Sequence, residues 1–309
     1  MSFYVAGING MVGSAIALEA TAQGHEVIGK SSKELDLTDR AAVFKEFRRI
    51  KPNYLVIAAA KVGGIGANSL LPVDFLSINL QIQTNLMDAA HSANVHRVLF
   101  LGSSCVYPKH TPQPISESAL LTGELESTNA PYAIAKIAGL KLVEAYRWQF
   151  SHNWIAAMPT NLYGPRDNFD FNSAHVLPAL INRFHHAKIN SLKFVEVWGD
   201  GTPLREFLFV NDLAKACLFL LNKYDSSTAI NVGSGQEISI ASLATLVSKI
   251  VGFSGDILFD TNRPNGTQRK LLDSSRILEL GWAPRVKLED GIASTYDWFL
   301  KHVAKDPTS

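Results

Sequence analysis

Short apolar runs alternate with longer helical patterns in the first half of this 309-residue chain, and this alternation is the feature that most constrains its fold. Continuous apolar runs are typical of strands buried on both faces, whereas apolar residues three and four apart are typical of helices. The pattern predicts strands at residues 3–7, 26–30, 54–60, 97–102 and 154–159, and helices near residues 11–23, 39–50, 73–93 and 130–151. Strands separated by helices run parallel with helices on both faces, so we predict an α/β fold with a doubly wound parallel sheet.

A second, smaller lobe is predicted after residue 164, where a polar and irregular stretch interrupts the alternation. We expect a first domain over residues 1–164 and a mixed α/β substrate lobe mainly over residues 165–309. Segments near 204–232 and 271–285 are expected to return to the first domain. Beyond residue 164 the pattern indicates helices near residues 173–188, 211–223 and 239–251, and short strands at residues 193–198, 207–210, 228–232 and 256–259.

The composition indicates a globular protein without a broadly charged surface. The chain is 47% hydrophobic and 18% charged, and 29 Lys and Arg against 28 Asp and Glu give a net charge of +1. This balance argues against nucleic acid or a membrane surface as a partner, so an anionic ligand must meet a local cluster of cations. The two cysteines, Cys105 and Cys217, show no metal-ligand spacing, and no metal is expected. With no signal-peptide pattern and no long apolar span, we expect a cytoplasmic protein.

Three glycines mark the turn that follows the first predicted strand. Gly7, Gly10 and Gly13 form a Gly-x-x-Gly-x-x-Gly pattern at the start of a helix. Glycine there permits a tight turn and close approach of the backbone to a diphosphate, which the free amides of the helix end then face. Turns also recruit glycine for structural reasons alone, but after the first strand of a βαβ unit the pattern predicts a Rossmann dinucleotide site. The turn also contains Asn9, Met11 and Val12.

The end of the second strand indicates which dinucleotide binds. An acid there holds the ribose 2′-hydroxyl of NAD, whereas a positive group accommodates the 2′-phosphate of NADP. Residues 29–33 read Gly-Lys-Ser-Ser-Lys and favour NADP, although Lys30 and Lys33 could instead be solvated surface charges. Further candidates for the cofactor site are Asp36 and Leu37 towards the adenine, and Ala59 and Ala60 in the loop after the third strand.

A tyrosine and a lysine four residues apart, Tyr132 and Lys136, lie in the predicted helix at 130–151. This spacing places them on one helix face, where a nearby ammonium lowers the pKa of a phenol from its usual value of about 10. Tyr132 could then exchange a proton with a carbonyl or alcohol while hydride moves to or from a nicotinamide. The fourth strand ends near Ser103, whose hydroxyl could share the hydrogen bond to the carbonyl, as in an oxyanion hole. The spacing is common by chance, so the inference depends on the dinucleotide motif that precedes it.

The two motifs together resemble the extended short-chain dehydrogenase/reductase superfamily. The chain is similar over nearly its whole length to one branch, which converts GDP-4-keto-6-deoxy-D-mannose to GDP-L-fucose. This resemblance implies a bifunctional enzyme that epimerises C3 and C5 and then reduces the C4 ketone with NADPH. It also implies a homodimer formed through the helices near 73–93 and 130–151. The similarity is carried by the runs at residues 58–65, 101–109, 131–139, 159–164, 167–169, 197–207 and 269–273.

The resemblance also assigns roles to single residues. It matches Ser103, Tyr132 and Lys136 to a catalytic triad, with Lys136 also towards the cofactor, and matches Cys105 and His175 to the acid/base pair of the epimerisation. A thiol and an imidazole both titrate near neutral pH, so both can cycle between protonation states. Cys105 could otherwise be a small core residue, and His175 a hydrogen-bonding partner on a helix face.

A further set of residues matches the ligand pockets of that branch. Among them, Arg183, Arg205 and Lys270 would meet the diphosphate of a GDP-sugar, and Trp198 offers a flat surface for the sugar or base. The matching cofactor-side residues are Pro159, Asn161, Leu162 and His175, and the matching sugar-nucleotide residues are Asn161, Val176, Leu180, Arg183, Trp198, Arg205 and Lys270.

Two positions depart from the pattern of this branch. Asn9 and Ser32 stand where its bacterial members carry arginines that grip the 2′-phosphate. Lys30 or Lys33 could compensate for them. We therefore expect NADPH to be the cofactor, with relaxed discrimination against NADH.

Two alternative functions share some of these motifs. Another sugar-nucleotide epimerase or reductase of the superfamily would carry the same turn and the same Tyr-Lys pair. A 4,6-dehydratase, however, needs an acidic pair where Ser104 and Cys105 stand in this chain. A non-catalytic module that senses NADP would have no use for Tyr132 and Lys136.

Overall fold

A parallel sheet lies at the centre of the molecule. The structure, a computed structural model, describes residues 1–171, 173–263 and 265–304. Along the chain the strands are β1 (Ser2–Ala6), β2 (Glu26–Ile28), β3 (Tyr54–Ile57), β4 (Arg97–Leu101), β5 (Ile155–Pro159), β6 (Asn161–Tyr163), β7 (Phe194–Trp198), β8 (Leu204–Phe209), β9 (Ile230–Val232), β10 (Glu237–Ser239), β11 (Asp256–Asp260) and β12 (Arg269–Lys270). Six of them pair in parallel in the order β2-β1-β3-β4-β5-β9. The predicted doubly wound sheet is confirmed, and the strand order reverses between β1 and β3, where such sheets bind ligands.

Helices cover both faces of this sheet. Along the chain they are α1 (Met11–Ala22), α2 (Arg40–Ile50), α3 (Ile65–Leu70), α4 (Pro72–Ser92), α5 (Ala130–Phe150), α6 (Val176–Ile189), α7 (Val210–Lys223), α8 (Ile240–Val251), α9 (Ser275–Glu279) and α10 (Leu288–His302). One face of the sheet buries Tyr4 and Phe100 against α2, α4 and α5. The other face buries Val5 and Leu99 against α1 and α7. Because successive strand residues alternate between two buried faces, the strands appear in the sequence as continuous apolar runs.

The smaller lobe packs α6, α8 and α10 around a hydrophobic core of its own. Beside this core β7 pairs with β11, while β10, β8 and β12 form a second sheet that β6 joins through β8. The chain also returns to the large sheet, where α7 packs with α1 and β9 pairs with β5. None of the described helices is long and apolar enough to cross a membrane.

Several predicted boundaries were wrong, and two of them have a clear local cause. The strand predicted at 207–210 begins at Leu204, since Leu204 and Arg205 pair with both β10 and β12. The helix predicted from residue 173 begins at Val176. The Asp170 carboxylate accepts hydrogen bonds from the backbone N–H and the hydroxyl of Ser173, at 2.9 and 2.8 Å, and these bonds hold a turn ahead of α6.

Candidate active site

The glycine turn between β1 and α1 leaves room for a ligand on one side only. A Cβ atom at Gly13 would lie 2.0 Å from the carbonyl oxygen of Gly7, so helix and strand are packed too closely there for any side chain. Gly7 has a φ of +85° and lies against the backbone of Ala59. At Gly10, by contrast, the nearest atom would be 3.4 Å away, and no side chain caps the first turn of α1. The free amides of this turn fit the diphosphate of a dinucleotide.

The cations after β2 differ in their availability. The Lys30 ammonium lies 3.2 Å from a carboxylate oxygen of the buried Glu46, which also pairs with Arg49 at 3.0 Å. Lys33 forms no ion pair among the described residues. The sequence did not indicate Glu46 as a partner of Lys30, because Glu46 lies in α2 and shares no motif with Lys30. Of the two lysines near the expected position of the ribose, Lys33 is therefore the one available to bind a ligand, because Lys30 is paired with Glu46.

Asp36 and the loop after β3 contribute local polar structure to the same end of the sheet. The Asp36 carboxylate accepts hydrogen bonds from the backbone N–H and hydroxyl of Thr38, at 2.8 and 2.7 Å, and these bonds lower the pKa of Asp36. Gly64 donates its N–H to the carbonyl oxygen of Ser173 at 2.9 Å. This bond joins the loop beside the cofactor turn to the segment that leads to His175.

Ser103, Tyr132 and Lys136 converge at the carboxyl end of β4. Ser103 lies just beyond β4, and its hydroxyl oxygen accepts a hydrogen bond from the N–H of Cys105 at 3.2 Å. Tyr132 and Lys136 lie one turn apart at the start of α5, with the Lys136 ammonium 5.9 Å from the centre of the Tyr132 ring. Lys136 also donates a hydrogen bond to the Leu101 carbonyl oxygen at 2.8 Å. The predicted cluster is therefore assembled by the end of one strand and the start of one helix.

The proton affinities in this cluster differ from the expectation based on the Tyr-Lys spacing. Burial raises the pKa of Tyr132, and the nearby Cys105 raises it further, while a hydrogen bond with Ser103 acts in the opposite direction. The predicted lowering by Lys136 is not seen, because desolvation of the phenol is the largest effect and Lys136 is hydrogen-bonded to Leu101. Burial also lowers the pKa of Lys136 to about 8.

Cys105, His175 and Lys270 come together from three distant parts of the chain. The half-buried Cys105 follows β4, His175 immediately precedes α6, and Lys270 lies on β12. The Lys270 ammonium donates a hydrogen bond to the Cys105 sulfur at 3.6 Å. Although the residue is exposed, desolvation of its imidazole lowers the pKa of His175, and the positive charge of Lys270 lowers it further. Nothing in the sequence indicated the contact between Lys270 and Cys105, because a separation of 165 residues carries no periodic signal.

Trp198 lies between two guanidinium groups on the small lobe. Its indole is 53% exposed, with the Arg183 guanidinium 5.3 Å and the Arg263 guanidinium 5.0 Å from the ring. Arg183 and Trp198 were predicted to line one pocket, whereas Arg263 was missed because no motif contains it. Such a flat surface with flanking cations suits a base or a sugar attached to phosphates.

The remaining candidates lie between these two clusters or beneath them. Arg205 on β8 is the register partner of Lys270 on β12, so the structure brings Lys270 together with Arg205 and Cys105. Asn161 donates a hydrogen bond to the Glu206 carbonyl oxygen at 2.8 Å. The other candidates range from part-exposed Val176 and partly buried Leu162 to Leu180, which is buried in the core of the small lobe.

The sheet and the Ser-Tyr-Lys cluster define a nicotinamide-dependent enzyme of the extended short-chain dehydrogenase/reductase class. In agreement, residues 3–233 match the NAD dependent epimerase/dehydratase family. The chain is 56% identical to GDP-L-fucose synthase 1 of Arabidopsis thaliana, over 97% of this chain and 93% of that protein. It is 47% identical to the GDP-L-fucose synthase of Escherichia coli K12, over 97% of this chain and 96% of that protein.

The fold is shared with a solved structure from the same group. A GDP-L-fucose synthetase from Naegleria fowleri, bound to NADP, superposes with a TM-score of 0.91 and 28% identity, covering 98% of this chain and 95% of that one. The chain therefore belongs to the GDP-L-fucose synthases within the NAD dependent epimerase/dehydratase family.

Proposed function

We propose that the protein converts GDP-4-keto-6-deoxy-D-mannose to GDP-L-fucose, by epimerisation at C3 and C5 followed by reduction of the C4 ketone. The observation that carries this proposal is the convergence of two sets of groups at the end of β4. Ser103, Tyr132 and Lys136 suit carbonyl reduction. Cys105 lies two residues from Ser103, and Lys270 is close to both Cys105 and His175. A plain reductase would need only the first set.

Ser103 and Tyr132 serve both reactions by binding the C4 carbonyl oxygen. Hydrogen bonds from their two hydroxyls stabilise the negative charge that develops on this oxygen. The raised pKa of Tyr132 keeps the phenol protonated and able to donate. The hydrogen bond from Lys136 to the Leu101 carbonyl oxygen keeps the ammonium near the Tyr132 ring. The same bond links the end of β4 to α5.

Cys105 and His175 carry out the epimerisation. The Cys105 thiolate removes a proton from the carbon beside the ketone, and the electron pair of the broken C–H bond moves onto the carbonyl oxygen as an enolate. His175 returns a proton to the opposite face of that carbon, which inverts its configuration. This chemistry requires that the Cys105 sulfur is not oxidised to a disulfide. A reducing, cytoplasmic compartment therefore suits the enzyme.

The reduction uses the same carbonyl site with a nicotinamide dinucleotide at the glycine turn. The bound dinucleotide supplies the hydride for C4. Tyr132 donates its proton to the carbonyl oxygen as the alcohol forms. Gly10 and the first turn of α1 would hold the diphosphate, because this is the open side of the turn.

NADPH is the proposed cofactor, with only moderate preference over NADH. No carboxylate side chain stands at residues 29–33, where an acid would bind a free ribose, and the Naegleria fowleri relative is bound to NADP. The preference is limited because Asn9 and Ser32 are uncharged and Lys30 is already paired with Glu46. Lys33 is then the main cation available for a 2′-phosphate.

We also propose a homodimer formed through α4 and α5, which pack side by side on one face of the large sheet. Ile134 and Trp148 on α5 are 48% and 91% exposed, although both are large and apolar. They are four helical turns apart and share a face. Burying such residues is the usual reason for helices to pair between subunits.

Product analysis of a Cys105→Ser variant tests the function. The variant is incubated with GDP-4-keto-6-deoxy-mannose and NADPH, and the sugar is identified by NMR, with Cys217→Ser as the matched control. Cys217 is fully buried on α7, away from this cluster. We expect Cys105→Ser to reduce the ketone without inverting C3 and C5, and Cys217→Ser to yield the fucose configuration. Fucose formed by Cys105→Ser at the wild-type rate would contradict the role of the thiol.

A further inference from the structure

The contact between Lys270 and Cys105 links a strand of the small lobe to the loop after β4. The Lys270 ammonium donates to the Cys105 sulfur at 3.6 Å, within the range of a hydrogen bond to sulfur. Around it, β12 is held in place by parallel pairing of Arg269 and Lys270 with β8. The Leu271 N–H also donates to the Gln113 side chain at 2.8 Å. The backbone that carries Lys270 is therefore held on both sides.

Lys270 is the available cation of the small cavity beside Cys105. Two other cations line this cavity, Lys109 and Arg269. Lys109 is paired with Glu126 at 3.1 Å, and Arg269 with Glu237 at 2.8 Å. Among the described residues Lys270 has no carboxylate partner. Its positive charge is therefore compensated by no acid, and the Cys105 sulfur is the group it contacts.

Three other titratable groups lie around the contact between Cys105 and Lys270. Tyr132 on α5 faces the sulfur and is held neutral by burial, which raises its pKa. Desolvation of the imidazole and the charge of Lys270 both lower the pKa of His175, which lies ahead of α6. Arg205 on β8 lies beside Lys270 in register, and its guanidinium donates to the Leu204 carbonyl oxygen at 2.8 Å.

We propose that Lys270 is the counter-ion of Cys105 and stabilises negative charge on its sulfur, a part that a Cys–His pair would otherwise give to His175. In this arrangement Lys270 is a positioning residue, and one ammonium has two effects. It stabilises the anion that removes a proton, and it makes the imidazolium of His175 a stronger acid towards the enolate. The thiolate pairing stands on geometry alone, whereas its benefit to epimerisation rests on the proposed function.

Alkylation of Cys105 in the full-length protein without substrate tests the pairing. The rate of reaction with iodoacetamide is measured from pH 5 to pH 10, because only the thiolate reacts. Cys217 is fully buried, so modification reports on Cys105, and peptide mass spectrometry verifies the site. For Lys270→Met we expect the midpoint of the rate profile to rise by about one pH unit and the rate at pH 7 to fall about tenfold. Lys270→Arg keeps the charge and should keep the midpoint low.

Three matched variants make the result specific. Lys109→Met and Arg269→Met each remove a cation that lines the same cavity but is already paired with an acid. We expect neither to move the midpoint appreciably, and His175→Gln to move it less than Lys270→Met does. An unchanged midpoint in Lys270→Met, an equal rise in Arg269→Met, or a larger rise in His175→Gln would each overturn the proposal.

Deuterium exchange separates this inference from the proposed function. With GDP-4-keto-6-deoxy-mannose in D₂O, Lys270→Met should lower the maximal rate of exchange at C3 and C5 more than it raises KM. If the wild type exchanged no deuterium while the alkylation midpoint still depended on Lys270, the proposed function would fail and the ion pair would stand. If the wild type exchanged deuterium and Lys270→Met altered neither readout, the ion pair would fail and the function would stand.

Discussion

Lys136 carries its charge in a place that water does not reach. Burial lowers its pKa from about 10.5 to about 8, so the folded chain binds fewer protons than the unfolded chain between these values. The unfolding free energy depends on pH with the sign of the protons bound by the unfolded state minus those bound by the folded state. Stability contributed by this group therefore rises as pH increases from 8 to 10.5, and below pH 8 the full cost of the buried ammonium remains.

A Lys136→Met variant should reveal this dependence. Between pH 8 and pH 10 the wild type should gain about 2 to 3 kcal/mol of unfolding free energy relative to the variant, at about 1.4 kcal/mol per pKa unit. Urea denaturation at several pH values measures the difference. Lys141→Met, which removes a lysine from the exposed side of the same helix, should run parallel to the wild type. A flat difference for Lys136→Met would mean that the buried amine has an ordinary proton affinity.

We expect the cofactor preference to depend on Asn9, an uncharged residue in the glycine turn. Asn9→Arg should raise the ratio of kcat/KM for NADPH over NADH about tenfold, since a hydrogen bond between charged groups contributes roughly 1.5 to 3 kcal/mol. Steady-state kinetics with both cofactors measures this ratio. Lys30→Met should change it little, because Lys30 is paired with Glu46. A collapse of NADPH preference in Lys30→Met would show that Lys30 leaves Glu46 for the phosphate.

At the scale of single residues, contacts between residues close in the sequence could be predicted, whereas contacts between distant residues could not. Tyr132 and Lys136 could be placed together because one helix turn separates them, and Ser103 because strand ends meet at one edge of the sheet. The pairing of Lys270 with Cys105 could not be predicted, because it depends on the position that β12 takes beside β8 in the folded small lobe. The lowered pKa that the Tyr-Lys spacing predicted for Tyr132 was also wrong, because burial in the folded site raises this pKa.

At the scale of elements, the first turn of α1 packs closely against the end of β1 at Gly13. Gly13→Ala would place a methyl group 2.0 Å from the Gly7 carbonyl oxygen, so the helix must shift away from β1. We expect a loss of at least about 2 kcal/mol of unfolding free energy, measured by urea denaturation without cofactor. Gly10→Ala makes the same chemical change in the same turn, where the nearest atom is 3.4 Å away, and should cost at most about 1 kcal/mol. Equal losses would show that the turn is uniformly sensitive and that close packing at Gly13 is not the cause.

Long elements were predictable and short ones were not, for a physical reason. Strands β1, β3, β4 and β5 and helices α1, α2, α4 and α5 each contain enough residues to show a pattern. β12 has two residues, Arg269 and Lys270, and is a strand only because β8 lies beside it. Since a two-residue segment has no period, the strand that carries Lys270 had no signature in the sequence.

For the whole molecule, the proposed dimer makes a direct prediction. The double variant Ile134→Glu, Trp148→Glu should sediment as a monomer at concentrations where the wild type is a dimer, because two buried carboxylates would face each subunit's partner helix. Sedimentation velocity measures the mass. Leu18→Glu changes a residue on α1 that is 72% exposed, on the other face of the sheet, and should remain dimeric. A wild type that sediments as a monomer, or a double variant that stays dimeric, would rule out this interface.

The position of β9 in the chain affects how the protein can be made. β9 closes the edge of β5, with Ala157, Met158 and Pro159 facing Ile230, Asn231 and Val232. A ribosome, however, completes β5 well before it reaches β9, and synthesises most of the small lobe's first half in between. Throughout that interval the nascent chain has an open strand edge, which is a template for any other strand. We therefore expect translation of residues 160–229 to be the period in which the edge of β5 is most open to pairing with another strand.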